Sequence, residues 1–143
     1  MSYQIKLYGS TTYITSSNNL VAVASLSSAA YTIILDCYKL NPSPSLESTI
    51  DIGPGQILIE NNFTRYNWTI EPNWWTKSDT ISNRDTLVNV LKQRYKYMEI
   101  IKYDDTTLLN TGYARDVVEV GRSYQNSMPF NIVKINFKDR FVQ

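Results

Sequence analysis

The side chains that could do covalent or acid–base chemistry are few and poorly matched. The chain has no histidine, which excludes Ser–His–Asp and Cys–His relays and every histidine-based metal site. Its one cysteine, Cys37, lies in the apolar run YTIILDCYKL. With neither a second thiol nor an imidazole partner, it reads as a small buried apolar residue. No GxxxxGK[ST] or GxGxxG loop is present among five glycines in all, so a phosphate cradle is unsupported. Asp104-Asp105 is a pair of carboxylates, but neighbours on a turn point apart and stay solvated. Glu60, Glu71, Glu99 and Glu119 are scattered, whereas a glycosidase needs two carboxylates roughly 5–9.5 Å apart across a cleft. No D-x-[DN]-x-[DN]-G calcium loop occurs. The sequence predicts no enzyme, no metal and no cofactor.

What remains is recognition chemistry. The stretch RYNWTIEPNWW, Arg65 to Trp75, holds all three tryptophans. Three uses compete for them. The indoles can close one end of a core. At least one can anchor a neighbouring subunit, since Trp and Tyr are favoured hot-spot residues. An exposed indole can also stack on a sugar ring, with Asn61, Asn62, Asn67 or Asn73 as hydrogen-bonding groups. Adjacent residues of an extended chain point to opposite sides, so one of Trp74 and Trp75 is expected inward and the other outward. The candidate partner or glycan contacts are Tyr66, Trp68, Trp74 and Trp75.

Charge limits the partners. Fourteen basic and 13 acidic residues leave a formal net charge of +1, too little to steer nucleic acid or an anionic membrane. Lys92, Arg94, Lys96 and Lys102 alternate with Tyr95, Tyr97 and Tyr103, the ingredients of a single-strand groove. With net charge near zero they read as the solvated side of a helix end and a strand. Charged residues make up 19% of the chain, against about 25% in typical proteins. An uncharged polar surface of this kind suits protein contacts. No segment approaches the roughly 18 apolar residues of a membrane span, and MSYQIKLYGS lacks the layout of a signal peptide. The sequons at Asn62 and Asn67 read as chance occurrences in an Asn-rich chain.

The elements that must position these residues are mostly strands. Tyr3, Ile5 and Leu7 alternate with Gln4, Lys6 and Tyr8. Thr11–Thr15, LVAVASL (Leu20–Leu26) and YTIILDCY (Tyr31–Tyr38) are also strand-like, and the last is apolar enough to be covered on both faces. NPSPSLES (Asn41–Ser48) reads as a loop and Gly53-Pro54-Gly55 as a breaker. QILIENN and FTRYNWTIEP resume the strand pattern until Pro72. Leu87, Val90, Leu91 and Tyr95 share a helical face. With Ser82 and Asp85 as a capping box, they predict one helix at about 83–94. YKYMEIIKY, a turn at Asp104–Thr107, and LLNTGYARDVVEVGRSY form a hairpin, in which Gly112 marks a bulge or a close backbone approach. PFNIVKINFKDRFV closes the chain with Val133, Ile135 and Phe137 on one face. The expected fold is mainly β: an antiparallel β-sandwich or flattened barrel with one α-helix, in a single domain over 1–143.

From residue 56 on, the order of an aromatic-rich strand (RYNWTIEPNWW), a helix (DTLVNVLKQ), a hairpin and a closing strand (FNIVKINFKDRFV) resembles the small β-sandwich tail and baseplate proteins of tailed bacteriophages. The Asn-, Tyr- and Ile-rich, histidine-free composition is similar to that of a virus with an AT-rich genome. The resemblance implies a structural subunit in a virion, assembled in the host cytoplasm. Its partners would be copies of itself and neighbouring virion proteins. Besides the tryptophans, the Asn41–Ser48 and Tyr124–Pro129 segments are contact candidates. The alternative reading is a carbohydrate-binding module of a receptor-binding apparatus.

Overall fold

The computed structural model describes residues 3–14, 19–56, 58–72, 77–103, 112–125 and 128–140. Alternating apolar and polar residues build one sheet from β1 (Tyr3–Ser10), β2 (Leu20–Ala22), β3 (Tyr31–Ile52), β4 (Leu58–Pro72), β5 (Tyr95–Lys102), β6 (Tyr113–Gln125) and β7 (Met128–Asp139). Helix α1 (Lys77–Lys92) falls between β4 and β5. Neighbouring strands run antiparallel in the order β6-β5-β1-β3-β4-β7, and β7 pairs back onto β6. Six strands therefore close into a barrel, with β2 added on the outside of β6. Closure removes the sheet edges that would otherwise invite pairing. The mainly β expectation is met in its barrel form.

Period two selects the interior. Ile5, Leu7, Leu35, Ile70, Met98, Val117, Ile135 and Phe137 turn inward from the six strands and form the main core. Helix α1 packs on β1 and β3 and adds Leu87, Val90 and Leu91 to that core. Gly9 permits the approach. A Cβ there would stand 3.0 Å from the Val90 carbonyl oxygen and 2.7 Å from Gln93 Cγ. A second, smaller cluster of Tyr8, Val21, Leu26, Tyr97 and Ala114 lies on the outer side of β1, β5 and β6.

Several expectations need correction. The helix spans Lys77–Lys92, so Ser82 lies within it and Tyr95 belongs to β5. LVAVASL is a three-residue strand followed by a 3-10 turn, Val23–Leu26, and residues 11–14 form no strand. Tyr31–Tyr38 is covered on one face only: Ile33, Leu35 and Cys37 are buried, while Ile34 is 51% and Tyr38 56% exposed. A closed barrel has a single inside, and Ile34 and Tyr38 stay exposed on its outside among the described residues. Another backbone does approach Gly112, whose carbonyl accepts the Val23 N–H at 2.7 Å; no atom would meet a Cβ there within 4 Å, so it is the φ of +93 that calls for glycine. The Asp104–Thr107 turn lies outside the described residues. NPSPSLES is not a loop: it is part of the 22-residue β3 and pairs with β4 throughout.

Candidate functional site

The aromatic stretch delivers two of its candidates to one place. In β4, Tyr66, Trp68 and Ile70 alternate onto the inward face. Trp68 is 1% exposed and belongs to the core, so it is corrected here from a contact residue to a buried one. Its Nε1–H donates to Asp139 Oδ1 at 3.1 Å. Arg115 Nε donates to the same oxygen at 2.9 Å, and Arg115 Nη2 to Oδ2. The Arg115 guanidinium carbon lies 5.3 Å from both the Tyr66 and the Trp68 ring centroids. Arg115 comes from β6 and Asp139 from the end of β7, 24 residues apart.

This cluster is a lock more than a site. Arg115 is 5% and Asp139 1% exposed. A buried ion pair is tolerated when its remaining donors and lone pairs are satisfied, and the indole N–H and the flanking rings do that here. Tyr66, half-buried, closes its outer side. Trp74 and Trp75 lie outside the described residues. Asn67 and Thr69 of the second sequon are held in side-chain hydrogen bonds to Ser45 and Asn136.

A second charged pair sits on the other face of β6. Asp116 is fully buried; its Oδ1 accepts Arg140 Nε at 2.9 Å, and its carbonyl accepts the Arg140 N–H at 2.9 Å. Its Oδ2 has no donor among the described residues. Burial pushes this carboxyl above its ordinary value; the Arg140 hydrogen bond and charge oppose the rise, and Asp139 adds to it. A raised folded-state value means that this group's contribution to stability is full below about pH 3.9. That contribution is lost as pH rises through the raised value. Asp116→Asn is therefore expected to raise stability at neutral pH and to flatten its dependence between about pH 4 and pH 7. Thermal melts of both proteins across that range check it. An Asn variant that melts lower at neutral pH would show that the Arg140 pair outweighs the burial.

The described residues offer little to catalysis. Cys37 is 0% exposed, and burial, helped by the charge of Asp36, pushes its thiol up to about 12, which keeps it protonated and unreactive. Among the described residues no cluster of three or more Cys, Asp or Glu is placed to hold a metal ion. No helix among them is long and apolar enough to cross a membrane.

The feature that sequence reasoning missed is an arm. The last β4–β7 pair is Asn67↔Lys138, yet β3 and β4 continue as a two-stranded ladder from Pro44↔Tyr66 to Ile52↔Leu58. At about 3.3 Å per residue, it projects on the order of 30 Å beyond the barrel. Proline cannot donate to a ladder, so Pro42 and Pro44 must turn their nitrogens away from β4. The uninterrupted register then turns the N–H and C=O groups of residues 46, 48, 50 and 52 outward on one edge, and those of 58, 60, 62 and 64 outward on the other. No other described strand pairs with either edge. Leu46 and Ile52 are each 75% exposed. Two prolines spaced by two, followed by Gly-Pro-Gly, are the sequence signal of an edge strand running into a turn. Tyr124 and Gln125 end β6, and Met128 and Pro129 begin β7.

No known protein family, curated protein or solved structure matches this chain.

Proposed function

We propose that the chain is a structural subunit of a virus particle, a phage tail or baseplate protein that assembles in the host cytoplasm by contacts with copies of itself and with neighbouring virion proteins. The arm supports this reading. A free monomer blunts or covers long strand edges. Here a barrel that has eliminated its own edges extends two of them into solvent, with Leu46 and Ile52 exposed beside them. Such an element gains hydrogen bonds and apolar burial only from another chain, at about 1 kcal/mol net per hydrogen bond. Heterologous contacts of this type generate rings or tubes. Light scattering over a concentration series, with electron microscopy of the largest species, tests the proposal. Concentration-dependent oligomers that resolve as rings or tubes are the expected result. A strict monomer at every concentration would refute self-assembly.

A further inference from the structure

Charge is divided unevenly between arm and barrel. The arm, residues 44–66, contains Glu47, Asp51 and Glu60 against a single basic residue, Arg65, at its base. The whole chain is formally +1, so the remainder is basic. Part of that positive charge gathers where α1 gives way to β5. Lys92 and Arg94 are exposed there, and half-buried Lys96 donates to the Gln93 carbonyl at 2.8 Å. Among the described residues, none of these three has a carboxylate at ion-pairing distance. The guanidinium carbons of Arg94 and Arg140 stand 5.4 and 5.2 Å from the Tyr95 ring centroid. Tyr13, 39% exposed, packs on the same ring at 5.4 Å. Burial lowers the pKa of Lys96; Glu119 opposes this, while Arg140 and Arg122 add to it. The corner is a crowd of cations around an aromatic surface.

We propose that this corner, centred on Lys92, Arg94 and Tyr95, receives the acidic arm of a second copy of the chain. The inference rests on the assembly reading above and names its two surfaces. The signs are complementary, and charge complementarity steers and orients association. Geometry excludes docking within one copy. Tyr95 pairs with Ser10, and Gly9 with Tyr31, so the corner lies beside the start of β3. The arm leaves from the far end of the same strand, on the order of 50 Å away at ~3.3 Å per residue. Arm and corner therefore meet only between copies, head to tail. A nucleic-acid strand is the poorer occupant, because the chain as a whole carries almost no surplus positive charge.

A charge-reversal exchange in the full chain, read by sedimentation velocity, tests this. The corner variant is Lys92→Glu with Arg94→Glu; the arm variant is Glu47→Lys with Asp51→Lys. Arg94→Gln and Glu47→Gln replace any reversal that disturbs the circular dichroism spectrum. The wild type is expected to self-associate, and to weaken roughly tenfold or more when ionic strength rises from about 0.05 to 0.5 M. Each variant alone stays monomeric where the wild type associates, and an equimolar mixture of the two regains complexes. Variants that associate as strongly as the wild type would overturn the docking and leave the assembly reading intact. A wild type and a mixture that are both monomeric throughout would end both. An oligothymidylate that binds the wild type but not the corner variant, with self-association unchanged between them, would reassign the corner to nucleic acid.

Discussion

Asp139→Ala is expected to cost the barrel about 3–5 kcal/mol, because it leaves a buried charge without its partner. Asp139 accepts from Arg115 Nε, Arg115 Nη2 and Trp68 Nε1, so alanine strands three donors in a region only 1–5% exposed. The guanidinium carbon lies 5.3 Å from both the Tyr66 and the Trp68 ring centroids, and Arg115 is only 5% exposed. Domains of this size are stable by about 5–15 kcal/mol, so the loss is a large share of the total. The double replacement Arg115→Met with Asp139→Leu removes both charges at similar volume. It should lose far less, since exchanging a buried pair for apolar residues is often neutral or stabilising. Urea titrations of the parent and the two variants decide it. A single variant within about 1 kcal/mol of the parent would mean that the guanidinium finds other partners or reaches water.

That lock was not legible in the sequence, and the reason is general. Alternation identifies which residues of a strand face inward, and it placed Ile5, Leu7, Ile135 and Phe137 correctly. It carries no information on which acid meets which base, and Arg115 and Asp139 sit on different strands. Trp68 was legible only as one of three indoles; the choice between core and contact depended on whether the neighbouring strands closed over it, and they do. The start of the helix was hidden for a different reason. Its apolar stripe, Leu87, Val90 and Leu91, occupies the C-terminal half, so periodicity was silent over the turns before Asn83. The arm was misread because proline and serine composition was taken as a loop signal. An unpaired strand edge tolerates proline as readily as a loop does, and the edge becomes evident only from the pairing of Pro42 with Trp68 and of Pro44 with Tyr66.

Excising the arm should separate folding from assembly. Ser45 and Arg65 are partners in the β3–β4 register, with Ser45 Oγ donating to the Arg65 carbonyl at 3.3 Å. The alternation that turns Pro44 outward makes this pair a hydrogen-bonded one, the flank that a two-residue hairpin turn requires. Residues 46–64 can therefore be replaced by Asn-Gly, which supplies the positive φ angles of a type I′ turn. Among the residues whose burial is described, none of those removed belongs to either hydrophobic cluster, and the new loop is shorter, so closing it costs no more entropy than before. The excised chain is expected to stay within about 1 kcal/mol of the parent in urea unfolding. Self-association, by contrast, should weaken at least a hundredfold, on the order of 2.7 kcal/mol. Both edges and the exposed Leu46 and Ile52 leave together, and the barrel that remains is closed. An excised chain that folds and still associates like the parent would transfer the contact to the barrel itself, where Val120, Tyr38 and Ile34 are exposed. An excised chain that fails to fold would make the arm part of the folding unit, and its edges would then have to be tested by point substitutions at Leu46 and Ile52.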